Sequence, residues 1–456
     1  MHTRLVLASG LAVLALAATA LSQPRPQTAA LSEQERLREL HLQGLSATRP
    51  GVQNRDPNGP AYANFDEARA NPDPLPDPLV EANGRRVTSA EQWWKVRRPQ
   101  IVAATDHDLY GRPPGLTPRV RWTVAATTHE TRFGVPVVVK ALDGRLDNRA
   151  DPAIEVVIKA ELTTPEAAAR EHRRTPAVMS LIWLKPPVIP GVSFPPEPGP
   201  DYRQLILERG WSYVLVDPNS IQADNGAGLT SGVVGLANHG RPRSLEDWGA
   251  LRAWAWGASR LLDYLETDPD IDARKVAIQG HSRYGKASLV AMAYDPRFAA
   301  GFISSSGAGG AAPYRRDFGE RLENVAASNE YHWMAGNFLK FAADPRHARD
   351  LPIDSNAVIA LVAPRPIFIG AGSADPTPKA TDAWVDPKGM FMAEASAGEV
   401  WRLLGKRPLD TRFPAVDTLS DSGDMAYREH DQGHTPGPNW PAFLDFAARA
   451  FAGRDS

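Results

Sequence analysis

The sequence predicts an α/β fold in which a doubly wound, mostly parallel sheet lies between two helical layers, a three-layer αβα sandwich. Downstream of residue 178, short apolar runs typical of buried strands alternate with helical patterns. Between residues 120 and 158, β-branched runs instead follow one another across Gly and Asp turns, which predicts antiparallel strands at the N-terminal side of the sheet. No internal repeat divides the 456 residues, so we expect one large α/β domain.

Residues 1–22 have the pattern of a secretory signal peptide. His2 and Arg4 precede an apolar run over residues 5–21, and small residues near the end of that run resemble a cleavage site. An uncleaved anchor helix is the alternative, because the run approaches the ~18 residues that can span a bilayer. We expect cleavage, since Pro24 weakens a helix, and therefore a secreted or periplasmic protein without a membrane segment after cleavage.

Residues 23–78 are polar and rich in proline, and they carry one helical pattern, over 32–43. They contain too few apolar residues for a core of their own, so we expect an arm that wraps on the surface. Residues 79–456 then form the α/β domain, which opens with a predicted helix over 90–110.

The strands and helices of this domain follow from apolar runs and from turn and capping residues. The predicted strands are 120–123, 135–139, 154–158, 178–184, 213–217, 275–279, 300–305 and 367–371. The further predicted helices are 244–265, 283–294 and 440–451. The helix over 244–265 starts at Ser244 in this interpretation, because Asp247 is a box-like partner for a serine N-cap.

Composition and charge exclude several classes of function. With 51 Lys and Arg against 53 Asp and Glu, the net charge is −2, so no basic field attracts nucleic acid. The absence of cysteine excludes disulfides, thiolate zinc sites and thiol nucleophiles. No His, Asp and Glu cluster has metal-ligand spacing, so we expect neither a metal nor a cofactor. We also expect a monomer.

The strongest local signal is a short strand that meets Gly280, His281 and Ser282 and continues into an Ala-rich helix. A strand, a tight turn that carries a serine, and a helix are typical of a nucleophile elbow. The second glycine of the pattern falls at Gly285, three residues past the serine rather than two. A serine that only caps the helix is the alternative, but the preceding strand and the glycines on both sides favour a nucleophile.

A nucleophilic serine needs a base, and the base needs an acid that orients it. His434 lies in a Gly/Pro loop before the last predicted helix, and His430 in the same loop is its competitor. The carboxylates that follow the strand over 367–371 are Asp375, Asp382 and Asp386. Serine, acid and histidine in this chain order are typical of the α/β-hydrolase fold.

Several stretches together resemble the glucuronoyl esterases of carbohydrate esterase family 15, in their bacterial type. Residues 280–286, with the sequence G-H-S-R-Y-G-K, resemble the family's elbow, G-x-S-R-x-G-K. The other stretches that resemble the family are 75–79, 87–94, 306–311, 315–320, 332–338 and 382–389. The resemblance spans residues 75 to 451 and implies an α/β-hydrolase fold and a serine esterase.

The resemblance also implies roles for individual residues. Ser282 matches the family's nucleophile, His434 its base, and Arg283 the residue whose backbone N–H and guanidinium face the oxyanion. The residues that match those holding the glucuronate ring are Lys286, Glu320 and Trp384.

The acid is where the chain departs from part of the family. Some members have a Glu just before the Ser-Gly-x-Gly-Gly stretch, where this chain has Ser305. That departure leaves Asp382, which matches the Asp of the family's D-x-W pattern. Asp375 remains a second candidate, because the loop before Asp382 is extended relative to the family.

The implied activity is hydrolysis, through an acyl-enzyme, of esters of (4-O-methyl-)glucuronic acid, such as lignin-carbohydrate ester links to glucuronoxylan. A carbohydrate acetyl esterase is the related alternative, in which the sugar would lie on the alcohol side of the ester. A catalytically silent, exported carbohydrate-binding protein is the alternative from another class, and Ser305 in place of a Glu is the feature that favours it.

Overall fold

A computed structural model describes part of the chain, namely residues 26–71, 73–115, 117–184, 198–375 and 381–453. The predicted signal peptide, residues 1–22, lies outside the described residues. Within the described ranges, we find no helix with the length and apolar character that crossing a membrane requires.

A single large sheet forms the centre of the described structure. Its strands in chain order are β1 (Val120–Arg132), β2 (Val135–Leu146), β3 (Val157–Pro165), β4 (Thr175–Leu181), β5 (Ser212–Val216), β6 (Ile271–His281), β7 (Ala300–Ser304), β8 (Ile367–Gly372), β9 (Ser420–Asp421) and β10 (Met425–His430). The order across the sheet is β1-β2-β3-β5-β4-β6-β7-β8-β10-β9. Strands β5, β4, β6, β7, β8 and β10 pair in parallel with their neighbours in that series, whereas the pairs β1–β2, β2–β3, β3–β5 and β10–β9 are antiparallel. The prediction of a mostly parallel sheet with antiparallel N-terminal strands is confirmed.

Helices cover both faces of this sheet. In chain order, those of the described residues are α1 (Pro26–Leu42), α2 (Ala90–Gln92), α3 (Arg98–Ala104), α4 (Glu166–Arg170), α5 (Tyr202–Glu208), α6 (Gly232–Ala237), α7 (Ala250–Leu265), α8 (Arg283–Tyr294), α9 (Leu322–Val325), α10 (Ser355–Ala360), α11 (Pro387–Leu403) and α12 (Trp440–Ala452). π-helical turns continue α2 and α3 into one helical segment over residues 90–109, close to the predicted 90–110. The helix predicted over 283–294 is confirmed at both ends by α8.

Strand side chains fill two separate hydrophobic clusters. Phe302 and Phe368 belong to the cluster that contains α12 side chains, whereas the adjacent Ile303 and Ile369 belong to the cluster of α7, α8 and α11. Because successive side chains of a strand point to opposite faces, the two clusters lie on opposite faces of the sheet. The predicted three-layer αβα sandwich is therefore confirmed, and the carboxyl ends of the parallel strands meet at one edge of it.

One predicted helix starts later than its capping pattern indicates, since α7 begins at Ala250 and not at Ser244. The backbone N–H of Ser244 does donate to Asp247 Oδ2, at 2.7 Å. The N–H of Trp248, however, donates to the carbonyl of Arg112, at 3.1 Å. This backbone hydrogen bond ties Trp248 to a preceding loop. The contact between Ser244 and Asp247 therefore closes a turn, and α7 begins only after that turn.

The first helix, α1, joins the proline-rich arm to the core. It begins at Pro26 rather than at residue 32, and its Leu40 is fully buried in the same cluster as α7. Glu39 and Arg243 are both fully buried and form an ion pair of 2.7 Å. Removing one partner of a buried ion pair typically costs ~3–5 kcal/mol, so α1 is held firmly against the α/β domain.

Candidate active site

Ser282 lies in a tight turn between β6 and α8. Its φ of 57° and ψ of −128° are strained values for a residue with a side chain. A Cβ added to Gly280 would lie 2.0 Å from the Tyr284 carbonyl oxygen, and one added to Gly285 would lie 2.6 Å from the Ser304 oxygen. Both glycines are therefore required by close backbone approach, and this explains why the second one stands at 285. The turn has the geometry of a nucleophile elbow.

His434 lies beside this elbow, in the loop that follows β10. Its ring centroid is 4.4 Å from that of His281, the residue before Ser282. His434 Nδ1 lies 2.8 Å from Asp382 Oδ1. The structure thus brings the predicted histidine and one predicted carboxylate to the elbow, at the carboxyl edge of the parallel strands.

Asp382 is buried and held from two directions. Its Oδ2 accepts hydrogen bonds from the Ser305 hydroxyl, at 2.6 Å, and from the backbone N–H of Gly372, at 2.9 Å. These two donors fix the carboxylate so that Oδ1 faces His434. Ser305, the residue that stands where some family members carry a Glu, therefore contacts the carboxylate that faces the histidine.

The two other carboxylates predicted as candidates have different surroundings. Asp375 is exposed and directly precedes residues 376–380, which lie outside the described residues. Asp386 caps α11, accepts the Gly389 N–H at 3.0 Å, and pairs with Arg316 at 3.0 Å. Of the three, Asp382 is the one whose oxygen lies beside His434 Nδ1.

His430, the competitor of His434, is fully buried. Its Nε2 lies 2.9 Å from the carbonyl oxygen of Thr435, and its Nδ1 accepts the N–H of Gln432 at 3.2 Å. Burial lowers the pKa of His430, which keeps the ring neutral. These contacts shape the loop that carries His434.

Two cations follow Ser282 on α8. Arg283 Nη1 lies 2.5 Å from Asp224 Oδ2, and the buried Lys286 Nζ lies 2.9 Å from Glu320 Oε2. The guanidinium carbon of Arg283 lies 5.3 Å from the ring centroid of Trp333, and Lys286 Nζ lies 5.5 Å from the same centroid. The two cations therefore share one aromatic surface, and each has a carboxylate of its own.

Glu320 and Trp384, predicted to bind a sugar ring, are neighbours in the structure. The N–H of Glu320 donates to the carbonyl oxygen of Trp384, at 2.8 Å. Glu320 Oε2 also accepts the N–H of Ala308, at 3.0 Å. Trp384 is half-buried and lies two residues after Asp382, so one short segment connects the acid to the predicted sugar site.

Asp224 is the residue of this cluster that the sequence did not reveal. Its Oδ1 accepts hydrogen bonds from His332 Nε2, at 2.9 Å, and from Trp333 Nε1, at 2.7 Å. Burial by itself would raise the pKa of Asp224, but the charge of Arg283 and the hydrogen bonds to the carboxylate hold the pKa well below its usual range. His332 and Trp333 belong to a stretch that resembles the family, which was the available signal, but nothing in the sequence ties Asp224 to them.

Among the residues that the structure describes, no group of three or more His, Asp and Glu side chains is arranged to hold a metal ion.

The arrangement of a strained serine, a carboxylate-held histidine and adjacent cations can be compared with known proteins. A profile of the family described as "Glucuronyl esterase, fungi" matches residues 243–405. Carbohydrate esterase MZ0003, from an unknown prokaryotic organism, is 29% identical over 418 residues, which are 86% of this chain and 93% of that protein. The 4-O-methyl-glucuronoyl methylesterase 1 of Wolfiporia cocos is 28% identical over 74% of this chain and 73% of that protein.

A solved structure decides the family. A carbohydrate esterase family 15 glucuronoyl esterase from Teredinibacter turnerae is 37% identical, with a TM-score of 0.82, over 92% of this chain and all of that chain. This chain belongs to the glucuronoyl esterase family, carbohydrate esterase family 15. As a glucuronoyl esterase, the protein has the α/β-hydrolase fold that the sequence predicted. It is a carboxylic ester hydrolase.

Proposed function

We propose that this esterase hydrolyses esters of (4-O-methyl-)glucuronic acid, such as lignin-carbohydrate ester links to glucuronoxylan, through a serine acyl-enzyme. The observation that carries the proposal is the contact of 2.8 Å between His434 Nδ1 and a buried Asp382, beside the elbow of Ser282. A relative named as a 4-O-methyl-glucuronoyl methylesterase supports the substrate class.

In the first half of the reaction, Ser282 Oγ attacks the ester carbonyl carbon and forms a tetrahedral intermediate. His434 takes the serine proton on Nε2, because Asp382 holds Nδ1 and stabilises the imidazolium that forms. Arg283 and the backbone at the start of α8 face the negative charge that develops on the carbonyl oxygen. His434 then gives its proton to the departing alcohol, and a serine ester of the uronate remains.

In the second half, water attacks this acyl-enzyme. His434 acts as base toward the water and returns the proton to Ser282 Oγ when the uronate leaves as a free acid. At neutral pH the product is an anionic carboxylate, because the pKa of a carboxylic acid lies well below 7.

The predicted sugar site explains why the uronate would be the acyl group. Lys286 Nζ lies 2.9 Å from Glu320 Oε2, and the two side chains offer hydrogen-bonding groups suited to sugar hydroxyls. Trp384 offers a half-buried aromatic surface against which the apolar face of a sugar ring can pack. An acetyl group would leave this site unused.

We also propose that the enzyme is exported from the cytoplasm. The signal-peptide pattern of residues 1–22 supports export, to the periplasm or outside the cell. We propose that the exported enzyme acts as a monomer, binds no nucleic acid, and uses neither a metal nor another cofactor.

The test is a comparison of substrates with the purified enzyme. We expect a methyl or benzyl glucuronate ester to be hydrolysed with a higher kcat/KM than an acetylated sugar or an aryl acetate. Ser282→Ala should lower kcat on the glucuronate ester by at least ~10⁴-fold. A clear preference for acetate would favour the acetyl esterase, and the absence of turnover on all of these esters would favour a carbohydrate-binding protein.

A further inference from the structure

Beside the elbow, Asp224 contacts Arg283, the cation that in the proposed mechanism faces the reacting carbonyl. We propose that Asp224 is a positioning residue for Arg283, and that its charge also keeps the site from retaining the uronate product. This inference rests on the proposed function, because it concerns the anion that ester hydrolysis would release.

Both oxygens of Asp224 are occupied by groups from different parts of the fold. Oδ2 lies 2.5 Å from Arg283 Nη1, whereas Oδ1 accepts the two ring N–H groups of His332 and Trp333. The Trp333 ring lies beneath the guanidinium, at 5.3 Å from its carbon. An arginine side chain has many rotamers, so a fixed carboxylate on one side and an aromatic surface on another restrict it to one orientation.

The orientation matters because Arg283 is the residue that follows the nucleophile. Hydrogen-bond donors stabilise an oxyanion only where they already point at the position that the charged oxygen will occupy. Asp224 is therefore placed to act on the reaction through Arg283, without any contact of its own with the reacting atoms.

The charges around Arg283 and Lys286 explain how Asp224 would keep the site from retaining the product. Arg283 is paired with Asp224, and Lys286 with Glu320 at 2.9 Å. Glu330 faces the same charges, and burial raises its pKa to about 8, so at pH 7 it is largely neutral and adds little charge. Two cations with two carboxylates present no net positive charge from these four groups.

Cations whose charge is balanced by neighbouring carboxylates suit a reaction that converts a neutral ester into an anion. A neutral substrate gains nothing from a net positive charge, but the product carboxylate would be attracted by one and would leave slowly. Because Asp224 pairs with Arg283, the N–H groups of the guanidinium stay oriented toward the oxyanion. The negative charge of Asp224 also weakens the long-range attraction between the guanidinium and the product carboxylate.

The experiment measures kcat on a methyl glucuronate ester and the inhibition constant Ki of sodium glucuronate. For Asp224→Asn we expect kcat to fall about tenfold and Ki to fall about tenfold, which means tighter product binding. A variant that only damaged the fold would bind the product more weakly, so a lower Ki is the outcome that a merely structural role does not give. An unchanged or higher Ki would overturn the proposal.

A double-mutant cycle separates this inference from the proposed function. Arg283→Ala should lower kcat by ~10²–10³-fold, and adding Asp224→Asn to it should change kcat by less than about threefold. If the wild-type enzyme does not hydrolyse the ester, the proposed function fails. If the wild-type enzyme hydrolyses the ester and Arg283→Ala has no effect, the proposed function stands and the inference about Asp224 fails. If Arg283→Ala behaves as expected while the effects of the two substitutions on kcat multiply, the role of Asp224 fails alone.

The chain offers a matched control in Asp268, a buried carboxylate that pairs with Lys140 at 2.8 Å near the amino end of β6. Asp268→Asn removes a similar charge at the opposite edge of the sheet and should leave Ki unchanged. Should Asp224→Asn unfold below the assay temperature, Trp333→Phe tests the same contact, because it keeps an aromatic ring at this position and removes the N–H donated to Asp224. We then expect kcat to fall severalfold with KM unchanged, and a wild-type kcat would overturn the proposal.

Discussion

Each of the two sides of the elbow contains an aspartate, the buried Asp382 on one side and the half-buried Asp224 on the other, and the two aspartates have different partners. On the acid side, defined by Asp382, Ser305 and His434, the carboxylate accepts hydrogen bonds from a hydroxyl and a backbone N–H. On the cation side, defined by Arg283, Lys286 and their carboxylates, Asp224 directly faces a guanidinium at 2.5 Å.

The difference shows that the hydrogen-bonding and ionic partners of a carboxylate, and not its residue type, decide what the carboxylate can do. Neutral donors hold Asp382 in place without cancelling its charge, so that charge is available for an imidazolium on His434. The charge of Asp224 is already matched by a permanent cation, which leaves it suited to orienting that cation.

The largest expected effect comes from removing the charge on the acid side. Asp382→Asn keeps the shape of the side chain but can no longer stabilise the imidazolium or fix the tautomer of His434. We expect kcat on a glucuronate ester to fall by ~10²–10⁴-fold. Stopped or continuous assays with substrate well above KM measure this directly.

Asp375→Asn is the control for that variant, because the exposed Asp375 was the second candidate for the acid. We expect its kcat to stay within about twofold of wild type. If Asp375→Asn lost the activity and Asp382→Asn kept it, the acid side would have to be redefined around Asp375.

Much of the acid side was predictable from the sequence. Ser282 is marked by a strand, two glycines and a helix, all close in the chain, whereas the residues alone left three carboxylates open and only the family resemblance, through its D-x-W pattern, favoured Asp382. The α/β sandwich followed in the same way from local patterns of strand and helix. Such features are predictable because a few adjacent residues determine them.

The cation side was predictable only in part, because its key contacts join distant segments. Asp224 meets Arg283 and Trp333 across separations of 59 and 109 residues, and no local pattern connects them. The late start of α7 has the same cause, since a backbone bond to Arg112 overrides the capping pattern at Ser244. The strand β10, which leads to His434, was also missed.

An intermediate effect, on KM, is expected from removing a charge on the cation side. Lys286→Met removes the ammonium that lies beside Glu320 and, in the proposed site, binds a sugar hydroxyl. A hydrogen bond to a charged group contributes ~1.5–3 kcal/mol, so we expect KM for the glucuronate ester to rise by ~10–100-fold, with a smaller change in kcat. Turnover of an aryl acetate by the same variant is the control, because an acetate does not reach the sugar site. Equal losses on both substrates would show that Lys286 supports the elbow itself.

The smallest expected effect on kcat comes from removing one of the two hydrogen bonds that hold Asp382. Ser305→Ala removes the neutral donor to Asp382 Oδ2 and leaves the N–H of Gly372 in place. A neutral hydrogen bond contributes ~0.5–1.5 kcal/mol, which predicts a ~2–10-fold lower kcat with an unchanged KM. Ser396→Ala, which removes a hydroxyl that bonds to an amide on another helix, should not change kcat. A loss as large as that of Asp382→Asn would mean that Ser305 does more than orient the acid, because one neutral donor cannot account for so large a change.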